Sequence, residues 1–177
     1  MEYHYKIILI GPGSVGKTSL LNRFVHDQFS TSYNITMGVD FLDKEIDFGE
    51  KKVKLTIWDV GGQERFKVMR RNYYSGTSGA LLIFDLTRQD TYNKIKSTWY
   101  PELIKFCGNE IPFLLIGNKI DLIEDTGSVI KDDEAMIFAE NKNSIYIKTS
   151  AKTGENVEEA FKRLTKKVAL MKGIKIK

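Results

Sequence analysis

The stretch that most restricts what this chain can fold into is Gly11-Pro12-Gly13-Ser14-Val15-Gly16-Lys17-Thr18. It follows an apolar run, Tyr5 to Ile10, and leads into Ser19-Leu20-Leu21-Asn22-Arg23-Phe24, so it reads as strand, glycine-rich turn and helix. The spacing fits G-x-x-x-x-G-K-[ST] at every fixed position. Glycines there let the backbone curl until several N–H groups point at one oxyanion cluster, and the helix that begins there adds its positive dipole end. Gly13, Ser14, Val15, Gly16, Lys17, Thr18 and Ser19 are therefore the expected phosphate cradle. Lys17 can reach β- and γ-phosphates, and the Thr18 hydroxyl can ligate Mg²⁺. The competing reading is a glycine turn that only caps a helix, but the flanking strand and helix are what a phosphate loop requires.

The rest of the chain alternates in the same way. Strands are expected at Tyr5–Ile10, Val39–Phe48, Val53–Asp59, Ala80–Leu86, Phe113–Gly117 and Ser144–Lys148, with a hairpin turn at Gly49-Glu50. Helices are expected at Lys17–His26, Phe66–Tyr74, Thr91–Phe106, Asp132–Glu140 and Gly154–Met171. Pro101 falls inside the third of these, so a kink or restart is expected near Tyr100. The last helix should bury a stripe of Val157, Ala160, Phe161, Leu164, Val168 and Met171. Continuous apolar strands between helices imply a six-stranded, mostly parallel sheet with one antiparallel edge strand and helices on both faces. In such sheets ligands bind beyond the carboxyl ends of the strands. The glycine turn, Asp59, Asn118 and Ser150 all fall at such ends.

With 177 residues and no linker, the whole chain, 1–177, is expected to be one domain ending in a short basic tail from about residue 172. No apolar run approaches the roughly 20 residues of a membrane span, and the first six residues lack a signal-peptide pattern. A single cysteine, Cys107, fits a reducing cytoplasm, and its place in an apolar helical pattern suits inert filler. The net charge of +4 gathers at the C-terminal end, where Lys162, Arg163, Lys166, Lys167, Lys172, Lys175 and Lys177 follow Phe161 without an acidic residue. That run is a solvated helix face with a loose tail, or a surface drawn to anionic lipid. No binding motif for nucleic acid accompanies it. His4 and His26 have no companions at zinc-ligand spacing. Asp132, Asp133 and Glu134 suit a helix N-terminus.

Two further groups of residues carry chemistry. Trp58-Asp59-Val60-Gly61-Gly62-Gln63 ends a strand; Asp59 can hold Mg²⁺, mainly through water, unless it is a turn-capping residue. The glycines leave backbone free to approach a γ-phosphate, and Gln63 can orient an attacking water. Asn118-Lys119-Ile120-Asp121 and Ser150-Ala151-Lys152 follow the next two strands. The Asp121 carboxylate can accept from both N1–H and the exocyclic amine of guanine, a donor pair adenine lacks. Lys119 would lie along the base, Asn118 would tie this loop to the phosphate loop, and the Ala151 N–H would face the guanine O6.

On these residues the chain resembles the Ras-superfamily small GTPases, which share the P-loop NTPase fold, from Tyr5 to about Leu170, with all five nucleotide motifs in order. It is most similar to the Rab-like branch through Met37-Gly38-Val39-Asp40-Phe41, Lys54-Leu55-Thr56-Ile57-Trp58-Asp59, Gln63-Glu64-Arg65-Phe66, Tyr73-Tyr74-Ser75-Gly76 and Leu82-Ile83-Phe84-Asp85-Leu86-Thr87. The resemblance implies that Thr36 is the first-switch threonine that ligates Mg²⁺ and contacts the γ-phosphate, and that Phe29 packs on the base; as a bare residue, Phe29 serves equally as a loop anchor. It also implies that Phe41, Trp58 and Tyr73 are the aromatic trio displayed to GAP, exchange-factor and effector proteins. Taken without the family, they are large apolar side chains at least partly in the core.

Three departures stand out. The second switch reads Asp59-Val60-Gly61-Gly62-Gln63, resembling the Arf-like branch. Pro12 has no N–H and must sit where no phosphate contact is needed. Gly173-Ile174-Lys175-Ile176-Lys177 holds no cysteine where Rab-like proteins usually carry prenylated ones, so an abbreviated or unlipidated C-terminus is expected. The implied activity is hydrolysis of bound GTP to GDP with Mg²⁺, slow alone because Ser30–Thr36 contains no arginine to act in cis. Release of Thr36 and Gly62 from the γ-phosphate would then change the binding surface. The implied localisation is cytoplasmic with peripheral membrane contact. A non-hydrolysing GTP or GDP holder and a small-molecule kinase are the alternatives; the first conflicts with Gln63, Thr36 and Lys17, and the second needs an arginine-rich lid that no stretch provides.

Overall fold

The computed structural model describes residues 2–32, 34–63 and 67–176, apart from the Met69 side chain. Its centre is β1 (Glu2–Ile10), whose inner half is buried on both faces. Helix α1 (Lys17–His26) follows the glycine turn; β2 (Val39–Asp47) and β3 (Lys52–Val60) form the hairpin; α2 (Lys67–Tyr73) and β4 (Gly79–Asp85) come next. A long helical run is divided into α3 (Gln89–Lys94), a π-turn (Ile95–Trp99) and α4 (Tyr100–Cys107). Then come β5 (Phe113–Asn118), a 3₁₀ turn (Ile120–Leu122), α5 (Ile123–Thr126), α6 (Asp132–Glu140), β6 (Tyr146–Thr149) and α7 (Val157–Met171). The sheet order is β2-β3-β1-β4-β5-β6; β2 alone is antiparallel to its neighbour.

β4, β5 and the inner half of β1 are almost wholly apolar because each side chain there meets a core, whereas β2, on the antiparallel edge, is largely polar and exposed. Tyr5, Ile7 and Leu9 join Leu20, Leu21 and Phe24 of α1 and Phe161, Leu164 and Val168 of α7. Ile8 and Ile10 point the other way, to Tyr92, Ile95, Trp99, Leu103, Ala135 and Ala139. Burying both faces of these central parallel strands, at about 25 cal/mol per Å² of apolar surface, is what holds the middle of the sheet.

The break anticipated near Tyr100 has a definite form. Pro101 sits in the first turn of α4, where no N–H is needed, and the Tyr100 N–H reaches back five residues to the Ile95 carbonyl. The α7 stripe is shorter than its periodicity implies: Met171 is half exposed. The physical reason is the helix stop. Gly173 takes φ 72, and the Ile174 N–H returns to the Ala169 carbonyl, so Ile174 closes the helix end against the core in place of Met171. The basic tail folds back on the sheet, with Ile176 on the same core and Lys51 Nζ donating to the Lys175 carbonyl at 2.5 Å. The expected strand at Ser144–Lys148 begins at Tyr146, and the helix expected from Phe66 is seen from Lys67, Phe66 itself lying outside the described residues.

Candidate functional site

At the carboxyl end of the sheet lies a cleft of about 540 Å³. Its floor is the turn between β1 and α1. Gly16 is held at φ 97, and a Cβ there would stand 2.4 Å from Asn118 Nδ2, so the turn exists only with glycine. Val15 gives its side chain to the core and only its backbone to the turn. Lys17, almost wholly buried, donates Nζ to the carbonyls of Gly11 (2.9 Å) and Pro12 (2.8 Å). Pro12 thus contributes an acceptor, consistent with its missing N–H. Burial pulls the Lys17 ammonium down to about 8, Asp59 opposing and Arg70 adding to the fall.

Behind Lys17 three oxygens converge. Thr18 Oγ1 donates to Asp59 Oδ2, Thr36 Oγ1 reaches the same carboxylate at 3.3 Å, and the two hydroxyls are 2.8 Å apart. Asp59 is fully buried, and its Oδ1 has no hydrogen-bond partner among the described residues. Burial pushes its carboxyl up, while Lys17 and the two hydroxyls pull it down. An orphaned buried carboxylate oxygen beside two hydroxyls is an all-oxygen donor set of the kind a hard divalent cation such as Mg²⁺ takes, with water and substrate phosphate filling the remainder. The residues therefore fit that ion. Gly62 and Gln63 close the same end: a Cβ on Gly62 would lie 2.4 Å from the Gly11 carbonyl oxygen, so the second switch crosses the phosphate loop at backbone contact.

The other end is built by β5 and β6. Asn118, buried at the end of β5, donates Nδ2 to the Val15 carbonyl (2.9 Å) and accepts at Oδ1 from Thr149 Oγ1 (3.0 Å) and the Ala151 N–H (3.3 Å). One amide joins phosphate loop, β6 and the last loop. Lys119, at φ 71, runs back along the cleft to donate Nζ to the Ser14 carbonyl (2.8 Å) and pair with Asp85 (2.7 Å). Asp121 Oδ1 accepts from Ser150 Oγ at 2.6 Å. Ala151 and Lys152 line the cleft opposite Phe29, which is 38% exposed and faces the cavity.

The comparisons agree with this geometry. Residues 6–170 match the family model for the Ras family. The chain is 43% identical over 165 residues to Ras-related protein Rab-1 of Theileria parva, spanning 93% of this chain and 74% of that one. It is 41% identical to Rab-4A of Bos taurus (94% and 75% covered) and 40% to Rab-21 of Homo sapiens (94% and 72%). The chain belongs to the Ras family. Ras-family proteins bind GTP and GDP with Mg²⁺, hydrolyse GTP and act as switches; this is a GTPase of the Rab-like branch.

Beyond the cleft, Phe41, Trp58 and Tyr73 form one surface row in this Ras-family domain. The Phe41 and Trp58 rings stack at 5.5 Å, and Trp58 meets Tyr73 at 6.2 Å. Register explains it: Phe41 and Trp58 are cross-strand partners on the antiparallel edge. Cleft residues without a motif escaped the sequence reading, namely Asn22, Gln28, Ser30, Thr31, Ser32, Asn34, Ile35 and Leu122. Those from Gln28 to Ile35 had only position as a signal, in a polar loop between α1 and Thr36; Asn22 lies within α1 and Leu122 in the turn after β5. Glu64, Arg65 and Phe66, quoted for the resemblance, lie outside the described residues.

Proposed function

We propose that this chain, as a single small GTPase domain over 1–177 with its basic tail, uses the cleft as a timed GTP switch serving membrane traffic. The observation that carries the reading is one cleft lined by Lys17, Thr18, Thr36, Gly62 and Gln63 at one end, with buried Asp59 bonded behind Thr18, and by Asn118, Lys119, Asp121, Ala151 and Lys152 at the other, with buried Ser150 bonded to Asp121. The first group handles phosphate: Gly13 to Ser19 cradle it, and Lys17 neutralises it. Thr18 and Thr36 with Asp59 would hold Mg²⁺, which supplies charge neutralisation on the phosphoryl oxygens. Gln63 orients the attacking water, and the Gly62 N–H together with Thr36 senses the γ-phosphate. The second group reads guanine through Asp121, with Phe29 against the base.

No arginine is among the described residues that line the cleft. Intrinsic turnover is therefore slow, and an arginine supplied by a GAP adds roughly 10³–10⁵-fold. Phe41, Trp58 and Tyr73 present the nucleotide state to GAP, exchange factor and effector. The Asp59-Val60-Gly61-Gly62-Gln63 sequence gives the second switch an Arf-like backbone freedom. Lys166, Lys172 and Lys175 favour a peripheral, cytoplasmic-side contact with anionic lipid, whereas Lys162 and Arg163 are already paired with Glu158 and Glu159. The test is single-turnover hydrolysis of bound GTP. Wild type releases phosphate, and Gln63→Leu slows release by about 10-fold or more without loss of GTP affinity; equal rates in both would sink the assignment.

A further inference from the structure

Arg23 stands on the last turn of α1, behind the cleft lining, and all three guanidinium nitrogens are engaged. Nε donates to the Ala151 carbonyl at 2.9 Å and Nη2 to the Lys152 carbonyl at 2.6 Å. Nη1 donates to the Asp27 carbonyl at 3.1 Å and to its carboxylate at 2.8 Å. The side chain is 17% exposed. Ala151 and Lys152 form one lip of the cleft. Asp27 caps α1 at φ 53 and is followed directly by Gln28, Phe29 and Ser30, which form part of the other. The helix that carries Arg23 is itself fixed, because the neighbouring Phe24 ring stacks on Phe161 at 3.9 Å and 8°.

We propose that Arg23 is a positioning residue that ties the Ser150–Lys152 loop to the start of the first switch at Asp27 and so sets how long guanine nucleotide stays bound. Holding a carbonyl holds its peptide plane. Arg23 therefore orients two successive planes of the loop that presents Ala151 and Lys152 to the cleft. A planar fork suits this and an ammonium does not: lysine supplies the charge but cannot satisfy two carbonyls and a carboxylate in one plane. Because the same cation also grips Asp27, loosening one lip loosens the other. The inference rests on the reading of the Asp121–Lys152 end as the base pocket.

The test compares release of a fluorescent GDP, with excess unlabelled GDP, from wild type, Arg23→Lys, Asp27→Ala, the double variant and Asp121→Asn. Single-turnover hydrolysis of bound GTP is measured alongside. Arg23→Lys is expected to speed GDP release about tenfold, the scale of one charge-assisted hydrogen bond, while hydrolysis stays within about twofold. Asp27→Ala has a smaller effect, since the backbone carbonyl remains, and adds almost nothing on top of Arg23→Lys. Release from Arg23→Lys at the wild-type rate overturns the proposal, as do equal losses in release and hydrolysis or full additivity with Asp27→Ala. If Asp121→Asn leaves GDP release unchanged, the base-pocket reading itself fails and this inference falls with it; a strong Asp121→Asn effect beside a silent Arg23→Lys fells the inference alone.

Discussion

Gly62→Ala isolates the crossing of the second switch over the phosphate loop. The new Cβ would stand 2.4 Å from the Gly11 carbonyl oxygen, 2.5 Å from the Pro12 carbonyl carbon and 2.7 Å from the Gly13 nitrogen, against the 3.4 Å at which ordinary contact begins. All three are backbone atoms, so no side chain can swing away. The phosphate loop is the stiffer partner, because the Gly11 and Pro12 carbonyls are both held by Lys17 Nζ. The second switch must therefore retreat by about 1 Å, carrying Gln63 with it. A misplacement of that size costs on the order of 100-fold in rate, or about 2.7 kcal/mol in the barrier. The base end and the Lys17 contacts are untouched, so GDP affinity should stay within about threefold. Stopped-time phosphate release from a preloaded GTP complex, with GDP titration beside it, measures both. Hydrolysis within about threefold of wild type would refute the crossing. A loss of GDP affinity matching the loss of rate would show that the phosphate loop, not the switch, had yielded.

Three further outcomes follow from the same geometry. Asp59→Ala removes the carboxylate behind Thr18, with its orphaned Oδ1, and should raise the free Mg²⁺ needed for half-maximal hydrolysis by about 10–100-fold, read from a Mg²⁺ titration of the single-turnover rate. Gly13→Val is different in kind from Gly62→Ala: a Cβ at Gly13 meets only Gln63 Cγ, at 3.9 Å, so GDP binding should persist while hydrolysis slows by about tenfold as the valine methyls crowd Gln63. Phe161→Ala opens a hole where Phe24 stacks and should cost about 3–5 kcal/mol, seen as a Tm lower by roughly 10 °C or more in thermal melts of the GDP complex.

Much of the molecule is written in local pattern. The alternation of apolar runs with helices along the chain, the glycine turn at Gly11–Thr18 and the placement of Asp59, Asn118 and Ser150 at strand ends all follow from residue type and spacing. A glycine turn, a two-faced buried strand and a helix start are short-range structures. Other features are not local. Asn118 gains its role from three partners between 31 and 103 residues away, and Arg23 from carbonyls 128 and 129 residues further on. Backbone carbonyls leave no trace in composition, so no sequence pattern points to them. The Met171 side chain obeys the helical period yet is exposed, because the chain reversal at Gly173 hands its place to Ile174. The sequence by itself determined the fold class, the spacing of the strand-end motifs and the family. The tertiary structure alone decided which polar groups share a partner, which glycine faces backbone at 2.4 Å and which faces open space. Those depend on where parallel strands bring distant loops together, which is a property of the packed sheet and not of any one segment.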